Sequence, residues 1–293
     1  MICASGKPMH LAKSKRGVCM TNTRLLLLLS ILAGQSSLLW GGADDDAQAL
    51  QRACDNGRAM ACFDVASLHW RGAVTGWVNW DKAWAAFRKG VDLDKDQALA
   101  LNQKACDSGK PGACYNVGLM YENGWGVPKD EPKSVGFHQK ACDGGDAAGC
   151  YGLGQVLRLG RGIPKDEAKA AWIYGKSCDG GYAPGCYKYA YMYANALGVA
   201  KDEPKAAATY RKSCERGDLG GCNTAASMYE NGQGVPKDEV LAAKIYQRGC
   251  DGGHLGSCKT LAAMFASGRG VAKDAAKAAL YQQKAASLER KTQ

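Results

Sequence analysis

Long apolar runs are nearly missing from this 293-residue chain, and none of them reads as a strand, although 46% of its residues are hydrophobic. That combination, with 38 glycines, favours an array of repeats over one large core. The single strongly apolar run, LLLLLSILAG from Leu25 to Gly34, covers ten residues, about half of the roughly 20 that a membrane-spanning helix needs. Histidine is scarce. Beyond residue 43 only His69, His138 and His254 remain, at non-equivalent places, which excludes a zinc enzyme built on clustered histidines. The C-x(2)-C spacing of a zinc site and the G-x-S-x-G turn of a serine hydrolase are absent as well. No metal ligand set and no cofactor site is expected.

The apolar run has the context of a secretory leader. Basic residues precede it (Lys13, Lys15, Arg16, Arg24), and small residues follow, ending in Gly41-Gly42-Ala43 just before Asp44-Asp45-Asp46. Residues 1–43 therefore read as a signal peptide cleaved after Ala43, with Met20 as an alternative start because MTNTRLLLLLS is already a compact signal. All five leader charges are basic, so the formal charge of +10 falls to +5 once the leader is gone. A nucleic-acid partner is not expected on that charge, and export weakens the case further. The mature chain is expected to be secreted or periplasmic, monomeric and without a transmembrane segment.

Cysteine is the residue that is plentiful. Cys3 and Cys19 lie in the leader, and each of the other twelve belongs to a C-x(7)-C unit. The units open at Cys54, Cys106, Cys142, Cys178, Cys214 and Cys250, at intervals of 52 and then 36 four times over. A constant period in the range of about 20–50 residues is the mark of a solenoid. The segments before the first cysteines, such as DEPKSVGFHQKAC and DEAKAAWIYGKSC, open on an aspartate suited to N-capping, carry a glutamate in the first turn and a basic residue near the end. They are helices. The segments from the second cysteines, such as CYGLGQVLRLGRGI, place apolar or small residues at +3, +4 and +7, one face of a second helix. The loop GxGVPKD leads to the next repeat.

Three residues after each first cysteine stands a glycine: Gly57, Gly109, Gly145, Gly181, Gly217 and Gly253. A left-handed C-cap requires one there, so each C-x(7)-C unit is the turn of a helical hairpin. Antiparallel helices put the two cysteines opposite each other, within reach of a disulfide. The expected pairs are Cys54–Cys62, Cys106–Cys114, Cys142–Cys150, Cys178–Cys186, Cys214–Cys222 and Cys250–Cys258. The fold class expected is all-α, a solenoid of hairpins each stapled at its turn.

The pattern KACDGGDAAGCYGLG, with GxGVPKD between helices, resembles the Sel-like repeats of the tetratricopeptide-related solenoids, and its cysteine form is similar to the Hcp family of bacterial cysteine-rich exported proteins. The resemblance covers residues 44–290. It implies a right-handed superhelix, and it brings a label, because members of that family have been described as penicillin-binding and as β-lactamases. A β-lactam or a peptidoglycan-type molecule thus joins protein and peptide as an expected ligand. The mature chain has none of S-x-x-K, S-D-N and K-T-G, and with all its cysteines paired no thiolate nucleophile remains, so no catalytic residue is assigned. β-Lactam hydrolysis stands as the alternative to a binding scaffold.

Two segments depart from the repeat. Residues 71–93 are an insertion whose neighbourhood holds Trp70, Trp77, Trp80 and Trp84; Trp80, Trp84, Phe87 and Val91 share a helical face, either an aromatic ligand site or a helix packed on the first repeat. Residues 274–290 lack the cysteine and suit a capping helix. By analogy with tetratricopeptide arrays, positions +1, +5 and +8 of the second helices line a concave groove: Tyr115, Tyr151, Tyr187 and Asn223; Gln155, Tyr191 and Ser227; Glu122, Arg158 and Glu230. The +1 rings either grip a ligand or cover the seam between repeats, and both readings stay open here. Tyr174, Tyr210 and Tyr246, four before a first cysteine, are expected to pack between repeats. The row Lys104, Lys140, Lys176, Lys212 and Arg248 is either a solvated helix face or a strip that steers an anion. N-terminal sequencing of native protein is expected to begin at Asp44; an intact Leu25–Leu39 segment in a membrane fraction would instead mark an anchor.

Overall fold

The computed structural model describes residues 42–58 and 95–292, with a few positions between them. Residues 1–41 of the leader, and Trp70, Trp77, Trp80, Trp84, Phe87 and Val91 in and beside the insertion, lie outside the described residues, and so do the readings made of them. Residues 43–293 form one compact unit. Its described helices are α1 (Gly42–Asp55), α2 (Lys95–Asp107), α3 (Pro111–Asn123), α4 (Glu131–Asp143), α5 (Ala147–Leu159) and α6 (Glu167–Asp179). They continue as α7 (Ala183–Ala194), α8 (Glu203–Glu215), α9 (Leu219–Asn231), α10 (Glu239–Asp251), α11 (Leu255–Ser267) and α12 (Ala275–Thr292). No strand occurs among the described residues.

Each first helix starts where its aspartate can serve the free N–H groups of the opening turn. Asp130, Asp166, Asp202 and Asp238 accept from the backbone N–H three residues on, and Asp274 does the same for α12. Second helices are capped less uniformly. Asp146 and Asp218 accept from Gly149 and Gly221, and His254 accepts at Nδ1 from Ser257. Lys110 and Tyr182 give no side-chain cap, but a proline at N1 or N2 of α3 and α7 removes a donor that would need one.

The hairpin turn closes by backbone geometry. After α4, Gly145 lies at φ +87°, its N–H donates to Cys142 O, and Asp146 N–H donates to Ala141 O. Those two bonds are the pair that ends a helix with a left-handed residue, and the other five turns repeat the positive-φ glycine. All six cysteine pairs form as expected, with Cα separations of 4.3–4.7 Å. Each closes a loop short enough that the chain-entropy model gives it about 2–3 kcal/mol.

So close an approach leaves no room for side chains beside the disulfide. A Cβ on Gly149 would lie 2.4 Å from Ala141 Cβ, one on Gly185 2.2 Å from Ser177 Oγ, and one on Gly221 2.8 Å from Ser213 Oγ. In the next hairpin the pair is reversed, with Gly249 on the first helix facing Ser257 on the second. Ser177 and Ser213 turn their hydroxyls to Ala147 O and Ala183 O, the start of the second helix one repeat back. The small residues that let one hairpin close thus also tie it to its neighbour.

Helices pack on their chain neighbours throughout, and second helices also touch the second helix of the next repeat, as in α3 with α5, α5 with α7 and α9 with α11. First helices of successive repeats make no comparable contact with one another. On their outer face they are joined by ion pairs instead. Lys140, Lys212 and Lys284 reach Asp107, Asp179 and Asp251 one repeat back at 2.9, 3.1 and 2.9 Å. Arg248 donates to Glu215 O, while Lys176 sits 4.1 Å over the exposed ring of Trp172. The basic row is therefore a solvated face whose charges are mostly occupied by the neighbouring repeat.

The loop after each second helix turns on a left-handed residue: Gly124, Gly160, Gly232 and Gly268. In the third of these five loops Ala196 takes that place at φ +54°, the one positive φ outside glycine among the described residues. A Cβ in that region costs about 1–2 kcal/mol, partly offset by the looser unfolded chain that glycine brings. Ala196→Gly should stabilise the oxidised protein by about 0.5–1 kcal/mol in reversible denaturation; a loss of stability would contradict the assignment.

Candidate functional site

The residues expected to line a groove fall into two groups once their neighbours are known. At +1, Tyr115 is 4% exposed and its ring lies 5.5 Å from that of His138. Tyr151 and Tyr187 are partly exposed, with their rings 6.0 and 5.2 Å from Tyr174 and Tyr210. Each +1 ring thus packs on the residue four before the next first cysteine. Tyr174, Tyr210 and Tyr246 are buried between repeats as expected. The +1 tyrosines cover that seam, and in α5 and α7 they also keep a wet edge. Tyr191 is 37% exposed, Gln155 donates to the Tyr151 hydroxyl at 2.9 Å, and Asn223 and Ser227 are partly exposed.

Glycine is what lets the seam residues enter. The fully buried His138 ring is held between two second helices, where a Cβ on Gly118 or Gly152 would come within 2.6 or 2.8 Å of Nδ1. Tyr174 lies likewise on Gly154, at 2.7 Å from the Cβ that glycine lacks. Burial raises the pKa of Tyr174, pushed up to about 12, and of Tyr115, Tyr151, Tyr182 and Tyr210, so every one of these phenols is neutral at physiological pH.

At +8 the two glutamates are engaged rather than free. Glu122, with its side chain 11% exposed, meets His138 Nε2 at 3.2 Å and Arg161 at 3.3 Å. Burial alone would raise its pKa, but His138 and Arg161 hold it below the ordinary value. Glu230 accepts from the Tyr246 hydroxyl and from Arg269, both at 2.9 Å. In each case the carboxylate ties its own repeat to the next, through a ring on the next first helix and an arginine 39 residues on. Sequence reading missed this interlock, although the fixed spacing of 39 between the glutamate and the arginine was there to be found. Glu122 and Glu230 thereby lie at the seam, and Arg158 alone of the +8 candidates lacks such a partner set.

One further cation stands on the same wall. Lys188, on α7, has its pKa lowered by burial and then by Arg158. Asp218 is held up by burial, against the N–H groups of Gly221 and Gly220 and the charge of Lys188. Among the described residues no group of three or more His, Cys, Asp or Glu side chains is arranged to hold a metal ion, and no helix is long and apolar enough to cross a membrane.

The Sel1 repeat pattern matches this chain six times, at residues 86–110, 111–146, 147–182, 183–218, 221–254 and 260–289. The chain belongs to the Sel1 repeat family. Among solved structures it resembles c5321, a protective antigen of uropathogenic Escherichia coli with an SLR fold, at 26% identity and a TM-score of 0.60, over 82% of this chain and 56% of that one. A Sel1 repeat protein from Oxalobacter formigenes gives 26% and 0.62, over 68% of this chain and 83% of that one. Cytochrome c oxidase assembly factor 7 of Xenopus tropicalis is 31% identical over 78 residues, 27% of either chain. The match to that curated relative thus spans about a quarter of its length. These likenesses agree with the solenoid of Sel1 repeats and fit a scaffold for protein interaction.

His254 gives the last Sel1 hairpin a pH dependence. Burial lowers its pKa below the ordinary 6.5, so the unfolded chain binds the proton first, and protonation removes the Nδ1 acceptor that caps α11. Stability should be intact above 6.5 and fall as pH drops from there toward the lowered value. His254→Asp, which caps as Asp146 and Asp218 do, should flatten that slope in denaturation at graded pH; an unchanged slope would place its origin elsewhere.

Proposed function

We propose that this protein is an exported scaffold that binds a protein or an extended peptide along the wall formed by its second helices. One observation carries the reading: the backbones of second helices approach each other from repeat to repeat in α3–α5, α5–α7 and α9–α11, whereas first helices are joined on their outer face by long charged side chains. The closer-spaced layer of a curved stack is the inner one, so this wall is the concave side. Along it the partly exposed Tyr151, Gln155, Tyr187, Tyr191, Asn223 and Ser227 offer rings and amides at one-repeat intervals, a surface that suits an extended chain. A cell-wall peptide fits the same chemistry. Tyr115, Glu122 and Glu230 support the wall from behind.

Six disulfides support an oxidising compartment for the working protein, which suits an exported scaffold. The β-lactam-hydrolysing alternative gains no support from the geometry of the site.

The test is panning of a displayed peptide library on the oxidised protein. Enriched peptides should lose at least about tenfold in affinity when Tyr151 and Tyr187 are both changed to alanine, because the rings act by burial in adjacent repeats. Single changes at Ser267 or His254, outside that set, should leave affinity nearly intact. Tyr191→Ala, at an exposed ring, separates lost binding from lost folding. If a chromogenic β-lactam is instead turned over catalytically, and one side chain abolishes turnover with the fold intact, the scaffold reading fails.

A further inference from the structure

The interlock at +8 has one repeat in which a cation stands in place of the acid; the other described second helices without the acid, α7 and α11, carry alanine there, Ala194 and Ala266. In α3 and α9 the residue is glutamate, the ring it meets is His138 or Tyr246, and the arginine 39 residues on is Arg161 or Arg269. In α5 the residue is Arg158, the ring is Tyr174, and the position 39 residues on is Leu197. A cation has replaced the carboxylate, and the cation that would have balanced a carboxylate has become apolar. The two donors that an acid would bridge are left over. By hydrogen bonding and by charge the Arg158 side chain lowers the Tyr174 pKa against burial, yet no acid meets either group, and the buried Arg158 Nε has no hydrogen-bond partner of its own.

A second positive charge makes this a site rather than a defect. Lys188 lies within electrostatic reach of Arg158 and 5.6 Å from the Tyr187 ring centre. Asp218, the carboxylate that acts on Lys188, spends itself on capping α9, with the Gly221 N–H at 2.6 Å. Among the described residues neither Arg158 nor Lys188 forms an ion pair within 4.0 Å, in a chain where most wall and outer-face charges do. The two cations are partly exposed, Lys188 beside the Tyr187 ring and Arg158 within electrostatic reach of Tyr151.

We propose that Arg158 and Lys188 form a carboxylate-binding site, and that the ligand supplies the acid which the two glutamate-bearing repeats carry themselves. The guanidinium offers paired N–H donors in one plane, matched to a carboxylate, and the ammonium adds a point charge. The occupant is an acidic residue, or the C-terminal carboxylate, of an extended peptide laid along Tyr151 and Tyr187. The peptide part rests on the scaffold reading above, whereas the carboxylate site itself does not.

Two measurements on the full oxidised protein separate them. In the first, the Arg158 Nε–H resonance, assigned by its loss in Arg158→Leu, is followed while N-acetyl-L-glutamate is added, with N-acetyl-L-glutamine at equal ionic strength as the control. The resonance should shift and saturate with the acid and stay still with the amide, and Lys188→Met should weaken the apparent affinity roughly fivefold. Equal shifts with both compounds, or no effect of Lys188→Met, would overturn the site. Arg158→Leu should leave the melting temperature unchanged or raised, since it removes an unpaired buried donor; a large drop would assign Arg158 a structural role and overturn the proposal. In the second, peptides panned on the native protein should carry an acidic residue at one fixed place, and those panned on Arg158→Leu should lose it while keeping their apolar pattern. Peptides without an acidic preference overturn the carboxylate site and leave the scaffold standing. An intact shift with no enriched peptide supports the site and removes the scaffold.

Discussion

Two helices held about 4.5 Å apart at their Cα atoms is the constraint from which the rest of this structure follows. A disulfide of eight-residue separation demands that distance, and the distance demands that the residues beside it be small. The pairs Ala141 with Gly149, Ser177 with Gly185, Ser213 with Gly221 and Gly249 with Ser257 are the answer, one glycine in each, on whichever helix. The staple stabilises mainly by limiting the unfolded chain, while the small residues let the folded hairpin accept it. Neither part works without the other, because a larger side chain would push the sulfurs out of reach.

A thin seam has little apolar volume of its own, so the core is moved to the junction between repeats. There the rings of His138, Tyr174, Tyr210 and Tyr246 enter spaces opened by glycine and alanine, and the +1 tyrosines close over most of them. Each ring carries a polar edge that must find a partner when buried. Glu122 and Glu230 supply it in two repeats, and there the wall is sealed by arginines from the next loop. Around Arg158 the same geometry is left electropositive, which gives a stack of similar units one place where a cation stands in the acid's position. Specificity in a repeat protein needs such a place, since identical units would bind a ligand in every register.

Much of the fold was legible because it rests on covalent spacing and backbone limits. The intervals of 36, the glycine three beyond each first cysteine and the aspartate before each first helix are each forced by local chemistry, and each could be read one residue at a time. The wall was legible only in part. Period alone put Tyr115, Glu122 and Glu230 on the same face as Tyr187 and Tyr191, and it could not tell a ring covered by the next repeat from one left open. That distinction depends on residues one and two repeats away, His138, Arg161 and Tyr182 among them, whose contacts a helical wheel does not contain. The ladder from Lys140 to Asp107 escaped for the same reason, since its spacing of 33 crosses the repeat boundary.

The account depends on every staple lying within its own hairpin, and non-reducing peptide mapping of protein purified from an oxidising compartment tests that most directly. Six linked fragments are expected, each holding one cysteine pair of eight-residue separation, with no free thiol in the mature chain. A substantial fraction of any cross-repeat pair, such as Cys150 with Cys178, would contradict the close seam on which the stack and its wall are built.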